Sequence, residues 1–278
     1  MDLTSNYFLD LIPGLPNEVA ELCLLHVPYP YQALSRSVSS TWNRAITNPS
    51  FIFSKKTLSH PNLFVLAFHS QTGKLQWQAL DPSSARWFLL PQMPSPEDTM
   101  PLACAALPRQ GKLFVVNGTK TLTYRAATNQ WSVAGGPGRR EFVAAEGVEG
   151  RIVAVGRGGT SVYDPESNRW QEGSELEGEL ERYEVVAAGG RHDTWCPVAG
   201  GRFPREVMKK PFCATGLDDR IYVASCGLNV AIGIVERVSN MEQDVKGCTA
   251  DVCVTWQVVE APRAFREFSP CSCQVMYA

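Results

Sequence analysis

The chain has 278 residues, of which 44% are apolar and 19% charged, and its formal net charge is −2. That composition suits a folded chain with a sizeable core, divided into one large or two modest domains. It offers no electrostatic footprint for nucleic acid or an anionic membrane, and no apolar run reaches the roughly 18–20 residues of a membrane span.

Residues 1–10 read as a tail without the basic start and apolar core of a signal peptide. An intracellular location, nuclear or cytoplasmic, is therefore expected. The nine cysteines then read as thiols and not as a disulfide framework. A first helix is expected after Leu15-Pro16, with Asn17 as its cap and Glu18 and Glu21 suiting its positive end. Val19, Leu22 and Cys23 recur at helical spacing, and Pro28 and Pro30 stop the helix. A second helix is predicted from Tyr31 through Trp42 to Ile46, with Leu34, Val38 and Trp42 forming one apolar stripe. Asn48-Pro49 ends it. This gives a helical unit over residues 11–56, too small to be stable without a neighbour, and a linker over 57–62.

From residue 63 to residue 278 the periodicity is two, the signature of strands. Leu63 to Phe68, Leu75 to Leu80 and Arg86 to Leu90 form a first set. Two later sets share a ruler: Lys112 stands 19 positions before Trp131, and Arg151 stands 19 before Trp170. Tyr124 and Tyr163 each stand 7 before their Trp, a place taken by Leu80 before Trp87. The Trp spacings of 44 and 39 residues, with four short strands per unit, indicate a β-propeller. The ruler fails once. Arg191 stands 4 residues before Trp195, so the unit near 183–200 lacks its middle strands. The last unit, from Cys213 through Arg220 to Trp256, carries a polar insertion around Ser239 to Gly247. Nothing strand-like immediately precedes Leu63. The alternating segment 273–278 is therefore expected to supply the missing inner strand of the first blade and cover its bare edge. About four near-complete blades and a truncated one follow.

Chemistry-bearing motifs are sparse. There is no Gly-x-Ser-x-Gly and no phosphate loop. The pairs Cys271/Cys273 and Cys248/Cys253 lack zinc spacing, and His26, His60, His69 and His192 are scattered. Glu175, Glu177, Glu179 and Glu181 read as a solvated loop. No catalytic residue, metal or cofactor is expected. A basic–aromatic pair does recur at the entry to successive units: Arg140 with Phe142, Arg182 with Tyr183, and Lys210 with Phe212. Repeats place equivalent residues on one rim, so these six are candidate contacts to a target; the alternative is aromatics packed between blades and solvated cations.

Leu15-Pro16, the Leu22/Leu24/Leu25 cluster, Val38-Ser39-Ser40-Thr41-Trp42 and Asn48-Pro49-Ser50-Phe51 together resemble an F-box, with Thr41 where a basic residue is common. Tyr163-Asp164-Pro165 through Trp170 resembles the close of a kelch repeat, although the usual double glycine is weakened to Asn117-Gly118, Gly156-Arg157-Gly158 and Cys226-Gly227. The whole chain thus resembles the plant F-box/kelch-repeat proteins. The resemblance implies a small all-α F-box unit followed by an all-β kelch-type propeller. It also implies binding of the adaptor Skp1, and through it a cullin, by Leu15, Pro16, Val19, Leu22, Leu25, Leu34, Val38 and Trp42. The propeller would hold an unknown protein target for ubiquitination, in a plant light-signalling (far-red/phytochrome) context. Set against that pattern, a blade and more is missing near Arg191. A non-ligase or defective scaffold, or a propeller enzyme or carbohydrate binder with convergent carboxylates, is the alternative.

Overall fold

The computed structural model describes residues 10–58, 61–94, 102–138, 141–156, 159–173, 199–237 and 252–278. Four helices come first: α1 (Asn17–Leu25), α2 (Tyr31–Ser35), α3 (Ser40–Thr47) and α4 (Pro49–Leu58). Asn17 is not the cap of α1 but its first residue. Pro16 takes the cap position, and the Asn17 side chain accepts the Leu11 N–H at 2.8 Å, pinning the incoming chain. The single helix expected over 31–46 is two. Ser39 is extended, and its hydroxyl accepts the Trp42 N–H at 3.1 Å, which starts a new helix. The local cap overrides a four-residue periodicity that runs through the break. Asn48-Pro49 ends α3 and also opens α4, because a proline's missing N–H costs nothing at a helix's first position. Helix therefore continues to Leu58, where a linker was expected, and strand begins at Asn62.

The rest is strand. The first blade contains β1 (Asn62–His69), β2 (Leu75–Asp81) and β3 (Arg86–Leu89). The second contains β4 (Ala103–Leu107), β5 (Lys112–Val116), β6 (Thr121–Arg125) and β7 (Gln130–Ala134). The third contains β8 (Phe142–Val148), β9 (Arg151–Gly156), β10 (Gly159–Asp164) and β11 (Arg169–Glu172). A two-residue β12 (Ala199–Gly200) precedes the fourth, formed by β13 (Phe212–Leu217), β14 (Arg220–Ser225), β15 (Val230–Arg237) and β16 (Val252–Val259). The last strand, β17 (Phe268–Met276), returns to the first blade and pairs antiparallel with β1, Val65 opposite Cys273. Four antiparallel blades are thus present among the described residues, with β12 added in parallel to the outer edge of the fourth. Of the unit near 183–200, which the sequence ruler marks as shortened, only β12 lies within the described residues.

The sequence ruler has a direct structural meaning. Residues seven apart are cross-strand partners over a tight turn: Leu80 faces Trp87, Tyr124 faces Trp131 and Tyr163 faces Trp170. In the second and third blades the Tyr and Trp rings lie 5.2 Å apart, and the Tyr hydroxyl donates to Asn129 or Asn168 in that turn. Both asparagines have positive φ (50° and 54°), which asparagine tolerates well. The first blade lacks both halves of this device. Leu80 has no hydroxyl, and Ala85 holds the same backbone at φ 54°. Ala85→Asn is expected to stabilise the chain by about 0.5–1 kcal/mol, raising Tm by a few degrees in a thermal melt. An unchanged or lowered Tm would contradict that account.

Each Trp also ties its blade to the one before. Trp131 Nε1 donates to the Pro91 carbonyl at 3.0 Å, and Trp170 Nε1 to that of Gly135 at 2.9 Å, both just past the preceding blade's outer strand. Trp87 meets Phe265, beyond the fourth blade, at 5.3 Å. The fourth blade therefore stands before the first in the ring. Apolar clusters fill the fourth–first, first–second and second–third interfaces.

Candidate adaptor and target surfaces

The helical unit has its own small core. Leu24, Leu25, Ile46 and Phe51 are buried together, with Leu11, Trp42 and Ala45 against them. The Trp42 indole N–H donates to the Leu11 carbonyl, which closes the N-terminal loop over this core. Outside it, Leu15, Val19, Leu22, Leu34 and Val38 are exposed, the last two by more than 60%. Pro16 is exposed as well. Such apolar exposure on so small a unit marks a surface built for a partner. Two expected adaptor contacts are not on this surface. Leu25 is 5% exposed and Trp42 is half-buried. Helix α1 is apolar on both sides, so spacing alone does not separate its outward Leu22 from its inward Leu25.

The other side of the unit is fastened to the propeller. Tyr29 stands edge-on to Phe64 and Phe88, 5.6 and 6.1 Å away. Its hydroxyl lies 2.6 Å from that of Tyr124. Since Tyr124 donates to Asn129, Tyr29 donates to Tyr124. Burial holds both hydroxyls protonated well past the usual tyrosine range. Lys55, 3% exposed, donates to Gln32 Oε1 at 2.9 Å and to the Ala278 carbonyl oxygen. It thereby links α4, α2 and the end of the chain, beside a cleft of about 440 Å³ that Asp81, Asp218 and Tyr277 also line.

Burial pulls the Lys55 ammonium down to about 8, against a smaller opposing pull from Asp81. Between pH 8 and its ordinary value of 10.5 the unfolded chain holds this proton and the folded chain releases it, so this site makes stability rise with pH. At 1.36 kcal/mol per unit, the whole window is worth roughly 3 kcal/mol. Above about pH 9 the Cys104 and Cys271 thiols, and above about pH 10 the buried tyrosines, act in the opposite sense, because they ionise first in the unfolded chain. Urea titrations should show stability climbing between about pH 8 and 9 in the parent chain and not in Lys55→Met. Equal slopes would remove the assignment.

Of the six expected rim residues, Arg140, Arg182 and Tyr183 lie outside the described residues. Phe142 is no rim contact: it is 1% exposed and stacked on Trp170 at 5.5 Å, because the first residue of an inner strand here turns into the blade interface. Lys210 and Phe212 are exposed at the entry to the fourth blade. Burial explains the contrast. Strand β4, with neighbours on both sides, is buried throughout, whereas β13 alternates exposed and half-buried. Among the described residues, one face of β13 has no blade against it. Strand β8 also exposes Val143 and Val148.

Among the described residues, no three His, Cys, Asp or Glu side chains are grouped to hold a metal, and no helix is long and apolar enough to cross a membrane. Burial pushes the Cys104 thiol up to about 12 and raises that of Cys271, which keeps both in the poorly nucleophilic thiol form.

Comparison with known proteins fits this division. Residues 12–54 match the F-box domain family. The F-box protein AFR of Arabidopsis thaliana is 36% identical over 353 residues, covering 96% of this chain and 92% of that protein. An F-box/kelch-repeat protein of the same plant is 24% identical over 357 residues, covering 96% and 87%. The F-box/kelch-repeat protein SKIP30 is 28% identical over 58% of this chain and 53% of its own length. The two longest alignments exceed the 278 residues of the chain, so both relatives carry segments that it lacks. Helices with an exposed apolar row, fixed to a ring of four-stranded blades that each close on a Trp, are what this kinship looks like in three dimensions: the chain belongs to the F-box/kelch-repeat proteins, in which an F-box is joined to a propeller.

Proposed function

We propose that the chain is the substrate-recognition subunit of an SCF-type ubiquitin ligase. Its F-box binds a Skp1-like adaptor, and through that a cullin, while its propeller binds the protein to be ubiquitinated. The observation that carries this reading is the exposed apolar row of Leu15, Val19, Leu22, Leu34 and Val38, outside an F-box core that is already complete. Such a row suits the groove of another helical protein. The mechanism is proximity: tethering raises the target's effective concentration near the charged conjugating enzyme, and the chain supplies no reacting group. The work belongs inside the cell, in nucleus or cytoplasm, and the sequence resemblance favours plant light signalling as its setting.

Co-expression of the full chain with a Skp1-like adaptor and cullin is expected to yield a stable ternary complex on gel filtration. Failure to co-elute would sink the proposal. A second reading, a scaffold outside any ligase, is favoured by the segments that the aligned relatives carry and this chain lacks. It gains if the complex forms and yet no protein changes its turnover when the chain is depleted.

A further inference from the structure

The fourth blade has one face packed into the core, and among the described residues no blade lies against the other, on which Ala231 and Gly233 are buried and Val258 and Phe212 exposed. Its packed face carries Tyr222, Ala224, Val230 and Ile232 into the core shared with the first blade. On the opposite face, strand pairing lines up Ala214, Val223, Ala231 and Val258 in one row, and Gly216, Ile221, Gly233 and Trp256 in the next. In the second and third blades the closing Trp bonds to the blade before it. Among the described residues, Trp256 meets Phe203, from its own blade's entry segment, 5.1 Å away and edge-on. Phe203 also stands edge-on to Phe212, which is 41% exposed. Phe203, Phe212 and Trp256 form a short aromatic shelf on this face.

The entry segment that builds the shelf is strongly basic. Between Ala199 and Phe212 it carries Arg202, Arg205, Lys209 and Lys210 against the single acid Glu206, in a chain whose net charge is −2. All four cations are exposed, and among the described residues none is in an ion pair. The segment is fixed in place. Met208 is buried, the Lys209 carbonyl accepts the Cys226 N–H at 2.9 Å, and the Val207 carbonyl accepts from the Asn229 amide at 3.2 Å. Held cations beside exposed aromatic surface supply both steering charge and an anchoring pocket.

We propose that this face holds an acidic segment of a target protein, its carboxylates against Arg205, Lys209 and Lys210 and an aromatic or aliphatic side chain against Phe212 and Trp256. The proposal rests on the substrate-receptor reading above and names the chemistry of its target.

Fluorescence polarisation of the full chain tests it with labelled peptides of equal length built from Glu and Phe, Ser and Phe, or Lys and Phe. The Glu/Phe peptide is expected to bind at least about tenfold more tightly than the Ser/Phe peptide, with affinity falling as salt is added. Lys209→Glu with Lys210→Glu should remove that preference. Phe212→Ser should weaken Glu/Phe binding by about tenfold. Arg86→Glu, on the first blade, should change nothing. Equal binding of the Glu/Phe and Ser/Phe peptides, or indifference to the paired lysine reversal, overturns the proposal. So does a doubling of molecular mass with concentration that the same reversal abolishes, which would make a second copy the occupant. Adaptor binding is measured on the same proteins. If the peptide preference holds while the adaptor does not bind, the surface stands and the ligase reading falls.

Discussion

Ending the chain after Glu267 should leave no folded propeller. Strand β17 is tied to four separate parts of the molecule. It pairs with β1 along its whole length, from Asn62 opposite Met276 to His69 opposite Phe268. Phe268, Cys273 and Val275 fill the core between the fourth and first blades, while Met276 and Ala278 fill that between the first and second. Gln274 Nε2 donates to the Cys104 carbonyl at 3.0 Å, and the Tyr277 N–H to that of Pro108 at 3.2 Å, both in the second blade. The Tyr277 hydroxyl donates to Asp218 of the fourth at 2.7 Å, and Lys55 of the F-box donates to Ala278. Burying a large apolar side chain is worth about 1.5–3 kcal/mol, so the apolar groups alone amount to roughly 6–10 kcal/mol. A domain holds only about 5–15 kcal/mol in all. Truncated protein is expected to be insoluble, or to bind a hydrophobic dye without a cooperative melt. Gln274→Ala should cost about 1–3 kcal/mol by leaving a buried carbonyl unpaired. A truncated chain that melts within a few degrees of the parent would show that the last strand does not hold the ring.

The second large effect separates two leucines three residues apart. Leu22→Asp is expected to leave Tm nearly unchanged and to weaken adaptor binding about 30- to 100-fold, the loss of a 2–3 kcal/mol anchor. Leu22 is 46% exposed, so its replacement disturbs no packing. Leu25→Asp should act through the fold. It places a carboxylate among Leu24, Ile46 and Phe51, costing more than about 4 kcal/mol and unfolding the small helical core. Circular dichroism tells them apart: helical signal persists in the first variant and falls in the second, which loses adaptor binding as a consequence. Equal adaptor affinity for Leu22→Asp and the parent would move the docking surface elsewhere.

Legibility in the sequence followed the range of the interaction. Cross-strand pairs over a tight turn have a fixed spacing in the chain, so Tyr163 and Trp170 announced their contact through seven residues. Helix boundaries depended on single atoms. The break after α2 rests on the Ser39 hydroxyl and the start of α4 on the ring of Pro49, and neither disturbs the apolar periodicity that suggested one helix over residues 31–46. Residue type did not separate core from exposed positions in α1: Leu25 is buried because which side of the helix faces inward depends on Ile46 and Phe51, about 20 residues further on. Phe142 and Phe212 open equivalent strands in the same local pattern. One is 1% exposed and the other 41%, and what differs is the neighbour, not the residue.

By itself, then, the sequence determined the two-part architecture and the blade repeat, since both are written in spacings short enough for local geometry to set. Only the tertiary structure decided which leucines are core and which are exposed, that Lys55 joins the F-box to the last residues of the chain, and that the basic segment before the fourth blade is exposed beside Phe212. Those outcomes depend on which side of an element a distant part of the chain comes to cover. Burial is a property of the pair of surfaces, and one strand's sequence records only its own half.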